Sequence, residues 1–406
     1  MLVAAVVIGM AGASLPTVVA APRTAAPNVA AGAPRTAAPA FASGDYVLPV
    51  RTKVTPYFAG TTLHWTASDQ LVADGTIGPN FAANLRGVAS GPPGIVETGL
   101  DNNAGRAASW VSADGGVSWA EHIVAGSPTG FESLAAHAGV FVTHSDGFWS
   151  STDGATWTQA TTGPQALQRA ILTAGPRGFI AFTRNGSSTI TRVWLSATGA
   201  PGSWVAAPVQ RVVSSFCPSS VVATTSRIIA VGHDCAVPSR ARVLTSTTGR
   251  TWVNGVAPTG LRVTGAYTRA PSINYLSNRF LVTGANATQS ATWAWTTSDG
   301  LTWRHVSSMP RVTPWSVDTI VSILRVGPGW LAIGQRDMPA DDAVPVVWRS
   351  ADLVHWSRFS PPNSPCDATV DEVLQATVAA GRLVAVGAAW SIGSSCGETW
   401  TATVTP

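Results

Sequence analysis

Six stretches decide the fold: WVSADGGVSW (110–119), WSSTDGATW (149–157), WLSATGAPGSW (194–204), LTSTTGRTW (244–252), WTTSDGLTW (295–303) and WRSADLVHW (348–356). Each begins as a strand, passes through Ser, Thr, Asp and Gly, and closes on Trp. Asp or Thr can accept backbone amides in a tight turn. Glycine reaches the φ > 0 such a turn needs. The pattern is a hairpin, and it recurs.

A second unit precedes each hairpin. It reads IVETG at 95–99, VFVTH at 140–144, FIAFT at 179–183, IIAVG at 228–232, FLVTG at 280–284, WLAIG at 330–334 and LVAVG at 383–387. Successive copies start 45, 39, 49, 52, 50 and 53 residues apart. A fixed period of this size marks a repeat architecture. Two strands before the turn, one after it and one leading in make a four-stranded unit near 50 residues, the size of a propeller blade. The expectation is all-β: a seven-bladed β-propeller of four-stranded antiparallel blades, with eight blades as the alternative. The seventh hairpin begins at Trp400 and runs off the end of the chain. Its fourth strand should come from residues 42–70, where Trp65 to Asp69 faintly repeat the signature. Pairing the first and last segments closes the ring and removes its edges.

The turns resemble the Asp box, Ser-x-Asp-x-Gly-x-Thr-Trp, of bacterial neuraminidase (BNR) repeats. Asp114, Asp153, Asp299 and Asp352 hold the Asp position, and Thr198 and Thr248 replace it in two copies. The resemblance implies a sialidase-like fold, with the Asp boxes structural and on the face opposite any active site. Sialidases also carry an Arg-Ile-Pro motif, three arginines, an acid Asp and a Tyr–Glu nucleophile pair. This chain lacks Arg-Ile-Pro, and no strand places a Tyr beside a Glu.

Composition agrees with the repeat. Only 11% of the 406 residues are charged, whereas Gly (39) and Trp (17) are abundant. A charged coiled coil or acidic tail is excluded. A net charge of +4 over this length gives no reason to expect nucleic acid. No zinc-ligand spacing, phosphate loop or nucleophile elbow occurs, so no metal and no cofactor are expected.

Residues 1–20 resemble a signal peptide, with an apolar run at 2–13 that no Lys or Arg precedes. Residues 21–41 hold APRTAAP twice and read as a linker. Residues 42–406 form the single propeller domain. The expected localisation is secreted or cell-surface in a bacterium, without a membrane span after cleavage. Cys217 and Cys235 flank the first two strands of blade four, and Cys366 and Cys396 hold the same places in blade seven. Two disulfides are expected, Cys217–Cys235 and Cys366–Cys396.

The start of the innermost strand in each blade reads Arg86, Glu132, Arg169, Pro218, Arg269, Asp318 and Glu372. Six of these seven are ionisable in a charge-poor chain. Arginines in a dry cleft bind carboxylates or phosphates bidentately. Arg86, Arg169 and Arg269 are therefore the ligand-binding candidates, and Glu132, Asp318, Asp371 and Glu372 the catalytic ones. Further candidates between the second and third strands include Asp234 and Arg336. The reading favoured is a monomeric, non-catalytic module that binds a glycan, an envelope component or a protein at its top face. The alternative is a sialidase-like glycoside hydrolase or lyase acting on an acidic sugar.

Overall fold

The computed structural model describes residues 50–58, 60–69, 83–102, 104–126, 130–160, 169–184, 190–208, 210–237, 240–261, 263, 271–285, 291–310, 317–337, 343–361, 370–391 and 394–405. The expected signal peptide and linker, Arg269 and Cys366 lie outside them.

The described residues form six four-stranded sheets and one five-stranded sheet. Their innermost strands are Ala83–Gly91, Ala135–His137, Arg169–Gly175, Phe216–Ala223, Ser272–Leu276, Val317–Val326 and Val370–Ala379. Each innermost strand lies against the next, and the last lies against the first. The protein is a seven-bladed β-propeller. Its only described helix is one turn, Arg211–Ser214.

Every copy of the apolar motif is the second strand of its blade, and its composition follows from where it sits. A blade is covered on both faces by its neighbours, so alternation of apolar and polar residues disappears. In blade four, Ile228 and Ala230 pack toward Ile180 and Phe182 of blade three. Between them, Ile229 and Val231 pack toward Ile273, Phe280 and Val282 of blade five. Successive side chains point to opposite faces, and both faces are core.

Ring closure follows the sequence expectation and adds a strand. Thr62–Asp69 pairs antiparallel with Ser394–Thr405, with Thr66 opposite Thr401. Val50–Pro56 then pairs outside it as a fifth strand. Blade six holds this segment in place. Tyr57 donates its hydroxyl to Val326 O (3.0 Å), Lys53 Nζ donates to Ser360 O (2.7 Å), and Arg349 donates to Tyr57 O (2.6 Å) and to Pro56 O. Trp65 is buried and meets Phe359 edge-on at 5.8 Å.

The six hairpin turns share one hydrogen-bond pattern. The Ser or Thr ending the third strand accepts the amide of the turn glycine: Gly116 to Ser112 (2.7 Å), Gly154 to Ser151 (2.8 Å), Gly199 to Ser196 (2.7 Å), Gly249 to Ser246 (2.8 Å) and Gly300 to Thr297 (3.0 Å). In blade six Leu353 takes the glycine's place, with φ 65°, and donates to Ser350 (2.8 Å). Each aspartate accepts two further amides. Asp299 Oδ1, for example, receives Leu301 N (2.8 Å) and Thr302 N (3.1 Å). These amides, with the Thr297 hydroxyl, pull the Asp299 carboxyl down to about 2. Thr198 and Thr248 each accept one amide, from Ala200 (3.3 Å) and Arg250 (3.2 Å).

The turns also dock between blades. Gly154 has φ 75°, and a Cβ there would stand 2.4 Å from Val96 Cγ2 of blade one. Trp157 donates its indole N–H to Gly154 O (3.0 Å) and to Ser109 Oγ of blade one (3.0 Å). Trp204 stacks on Phe148 of blade two with centroids 3.9 Å apart. The closing Trp thus both caps its own turn and wedges against the preceding blade in these two copies.

A disulfide joins Cys217 and Cys235, with Cα atoms 5.2 Å apart. It ties the start of blade four's innermost strand to the residue after its second strand, Ile228–Asp234. The second expected pair cannot be followed: Cys396 lies in Ser394–Thr405, but its side chain, like Cys366, falls outside the described residues.

Candidate functional site

The innermost strands enclose an axial cavity of about 660 Å³. All seven blades contribute to its lining. Antiparallel order fixes which rim is which. The hairpin turns and the connections between first and second strands share one rim. The connections between second and third strands, and between blades, share the other, where each innermost strand starts.

Arg86 and Glu132 both line the cavity, from adjacent blades one and two. Arg169 begins its innermost strand opposite Arg184. Its own side chain lies outside the described residues, while the next three residues, Ala170, Ile171 and Leu172, line the cavity. Asp371 and Glu372 pair with Ala389 and Ala388, and their side chains likewise lie outside.

Asp318 is placed differently. It is 9% exposed, and its carboxylate faces into blade six, where it accepts Arg336 Nε (3.0 Å) and Trp348 Nε1 (3.0 Å). Arg358 Nε stands 3.9 Å from Oδ2, the oxygen that accepts Trp348. A buried carboxylate so paired serves as a counter-ion, since removing either partner would strand a charge. Asp234 is engaged locally, accepting Ala236 N (2.9 Å) and lying 3.9 Å from Arg242.

Sequence reasoning missed the rest of the wall. Ser133, Ser219, Ser220, Ser272, Ser322 and Gln375 line the cavity. Several act as latches between neighbouring innermost strands. Ser220 Oγ accepts Ile273 N (3.2 Å), Asn274 Oδ1 accepts Ile323 N (3.1 Å), and Ser219 donates to Pro271 O (2.5 Å). Gln375 reaches past blade one: its Oε1 accepts Leu134 N (3.1 Å) and its Nε2 donates to Leu134 O (2.6 Å). Gly87 makes room for this crossing, because a Cβ there would meet Leu134 N at 2.6 Å. A polar pair inside a strand, such as Ser219-Ser220, was the one visible signal.

His144 also faces the cavity and is 1% exposed. Burial pushes its imidazole down to about 4, against the smaller opposing effect of a backbone hydrogen bond at Ala170. It is a neutral wall residue at neutral pH.

Comparison with known proteins adds the family. The DUF6242 beta propeller domain matches residues 96–315. No curated protein matches the chain. Among solved structures, the sialidase of Trypanosoma rangeli in complex with the inhibitor DANA is similar over 87% of this chain and 60% of that one, at 10% identity and a TM-score of 0.43. The exo-beta-1,3-galactanase of Phanerochaete chrysosporium with galactose is similar over 59% of this chain and 61% of that one, at 14% identity and a TM-score of 0.42. The WD40 beta propeller domain of Doa1 is similar over 79% and 94%, at 9% identity and a TM-score of 0.47. The chain spans about three fifths of the length of the sialidase and the galactanase.

Proposed function

We propose a binding role for this chain, which belongs to the DUF6242 beta propeller domain family: it is a secreted, non-catalytic module that takes a glycan, an envelope component or a protein at the mouth of its axial channel. One observation carries the reading. The axis holds a cavity of about 660 Å³ whose lining mixes Arg86 and Glu132 with serine, threonine and glutamine side chains. Cavities of this size, with a few convergent polar groups, are the default ligand sites of folded proteins.

The hydrolase reading needs two carboxylates roughly 5–9.5 Å apart across an open pocket. Of the candidates with described side chains, Glu132 lies on the cavity and Asp318 is committed to Arg336 and Trp348. That arrangement favours binding over glycoside chemistry. Secretion draws support from the Cys217–Cys235 disulfide, since such bonds persist in oxidising compartments. We read the hairpin turns as Asp boxes of the BNR type, on the hydroxyl and aspartate pattern above.

A glycan array probed with wild type, Arg86→Ala and Arg169→Ala tests the role. Binding that weakens at least tenfold in Arg86→Ala supports it. Binding indifferent to both substitutions removes Arg86 and Arg169 from recognition. Turnover of sialosides or uronic-acid polysaccharides by the wild type would replace the reading with the hydrolase one.

A further inference from the structure

Blade six carries a charged network on the face it turns toward blade five. Each of its four strands supplies one residue: Asp318, Arg336, Trp348 and Arg358. Asp318 stands opposite Arg336 in the ladder, and Trp348 opposite Arg358. Directly paired residues share a face of the sheet. On that face Trp348 and Ala332 pack with Leu281, Ala294 and Met309 of blade five. Thr292 of blade five also donates its hydroxyl to Asp318 O (2.5 Å). The network therefore lies in the seam between two blades. Asp318, Arg336 and Arg358 are not among the described residues that line the axial channel.

Its charges do not balance. Two guanidinium groups meet one carboxylate. Asp318 Oδ1 accepts Arg336 Nε, and Oδ2 accepts Trp348 Nε1, so the carboxylate is divided between one arginine and one indole. Arg336 Nη2 and Arg358 Nε are buried donors, and neither has an acceptor among the described residues. Arg336 is only 6% exposed. Burial pushes the Arg358 guanidinium down, and Arg336 pushes the same way, against the pull of Asp318. Buried cations persist where they are paired, and buried donors where they are met. This seam holds one positive charge and two donors beyond what Asp318 satisfies.

We propose that Arg336 and Arg358 bind a halide ion, chloride in the first instance, in the seam between blades five and six. A halide accepts N–H donors from several directions and has no proton of its own to place. It needs no acceptor in return, which suits walls as apolar as Ala332, Val346 and Met309. Two unmet donors match one acceptor atom. A sulfate or phosphate brings four oxygens, and most would be desolvated without a partner. The guanidinium group is weakly hydrated and gives up its water readily. Arg358, on the outermost strand and partly exposed, marks the way in. The bound anion would neutralise the excess charge and fasten the outer strand of blade six to its interior.

Chloride NMR linewidths measured on the full chain, at an ionic strength held constant with sodium sulfate, test this. The expected result is protein-dependent broadening that saturates with chloride and is reversed by bromide but not by sulfate. In Arg358→Gln the chloride affinity should fall about tenfold or more, the cost of losing a hydrogen bond to a charged group. Arg279→Gln removes the same charge at an exposed position and should leave the affinity unchanged. Broadening that does not saturate, that sulfate reverses, or that the two variants lose equally overturns the assignment. So does broadening that survives intact in folded Arg358→Gln. Crystals of the wild type grown in bromide give a reading that needs no variant to fold. An anomalous peak in contact with Arg336 Nη2 supports the site, and its absence there overturns it.

Discussion

The two rims of this propeller obey different rules. On the rim of the hairpin turns, six copies repeat one device: a hydroxyl closing the turn, an Asp or Thr gathering amides, and a Trp lodged against the preceding blade. Toward the axis, four innermost strands each step over one residue in pairing, and these residues, Arg86, Ser219, Val321 and Leu374, have no identity in common. Repetition marks what every blade needs in order to pack. Variation at a structurally equivalent position marks what packing does not dictate, and there the chain is free to specify a ligand. Substitutions on the turn rim should therefore cost stability and spare binding.

The largest effect is expected from Gly154→Ala. The position combines φ 75° with a Cβ clash of 2.4 Å against Val96. Backbone strain and overpacking together should cost about 3 kcal/mol in chemical denaturation. Gly60→Ala is the control, because φ is +81° but nothing lies within 4 Å of a Cβ. It should cost only about 1 kcal/mol. Equal losses would mean that the inter-blade fit of the turn contributes nothing.

A comparable effect, but one tied to pH, belongs to His144 on the channel wall. Its folded-state pKa is about 4, against 6.5 for an exposed imidazole. Between these values the unfolded chain binds a proton that the native state refuses, so stability should rise with pH from about 4 to 6.5. The full span is worth ~3 kcal/mol. His144→Gln should flatten that slope in urea titrations across the window. An unchanged slope would show that the imidazole is solvated.

The turn aspartates titrate lower. Asp299 falls to about 2 through the amides of Leu301 and Thr302 and the Thr297 hydroxyl. Asp114 reaches about 2 as well, where the Ser118 and Ser112 hydroxyls and nearby amides outweigh desolvation. A depressed carboxylate stabilises above its unfolded pKa and loses that contribution as pH falls through the folded value. The turn rim should thus weaken between about pH 4 and pH 2. Asp299→Ala should remove its share at neutral pH, about 1 kcal/mol, with binding unchanged.

The smallest effect is a gain. Thr248 accepts one amide where an aspartate accepts two. Thr248→Asp should raise stability by about 0.5 kcal/mol, read as a small rise in Tm. A loss would break the equivalence of the six turns.

Much of this was legible in the sequence. Both repeated units, the blade number, the N-terminal strand that closes the ring and the Cys217–Cys235 bond all follow from spacing along the chain. The site was only half legible. Arg86 and Glu132, conspicuous as ionisable residues in a charge-poor chain, do line the axial cavity. Asp318 was found for the same reason, yet its side chain faces a blade interior. Position in a strand does not say which face a residue takes unless the register is known, and one bulge reverses the answer.

The sequence by itself therefore determined the repeat, because turn chemistry and strand composition are local and each copy restates them. The tertiary structure alone decided the wall of the channel. Gln375 meets Leu134 across 241 residues of chain, and four innermost strands each skip one residue in pairing. Those facts arise only when distant strands are brought side by side around one axis, where the closing of the ring decides which side chains face inward.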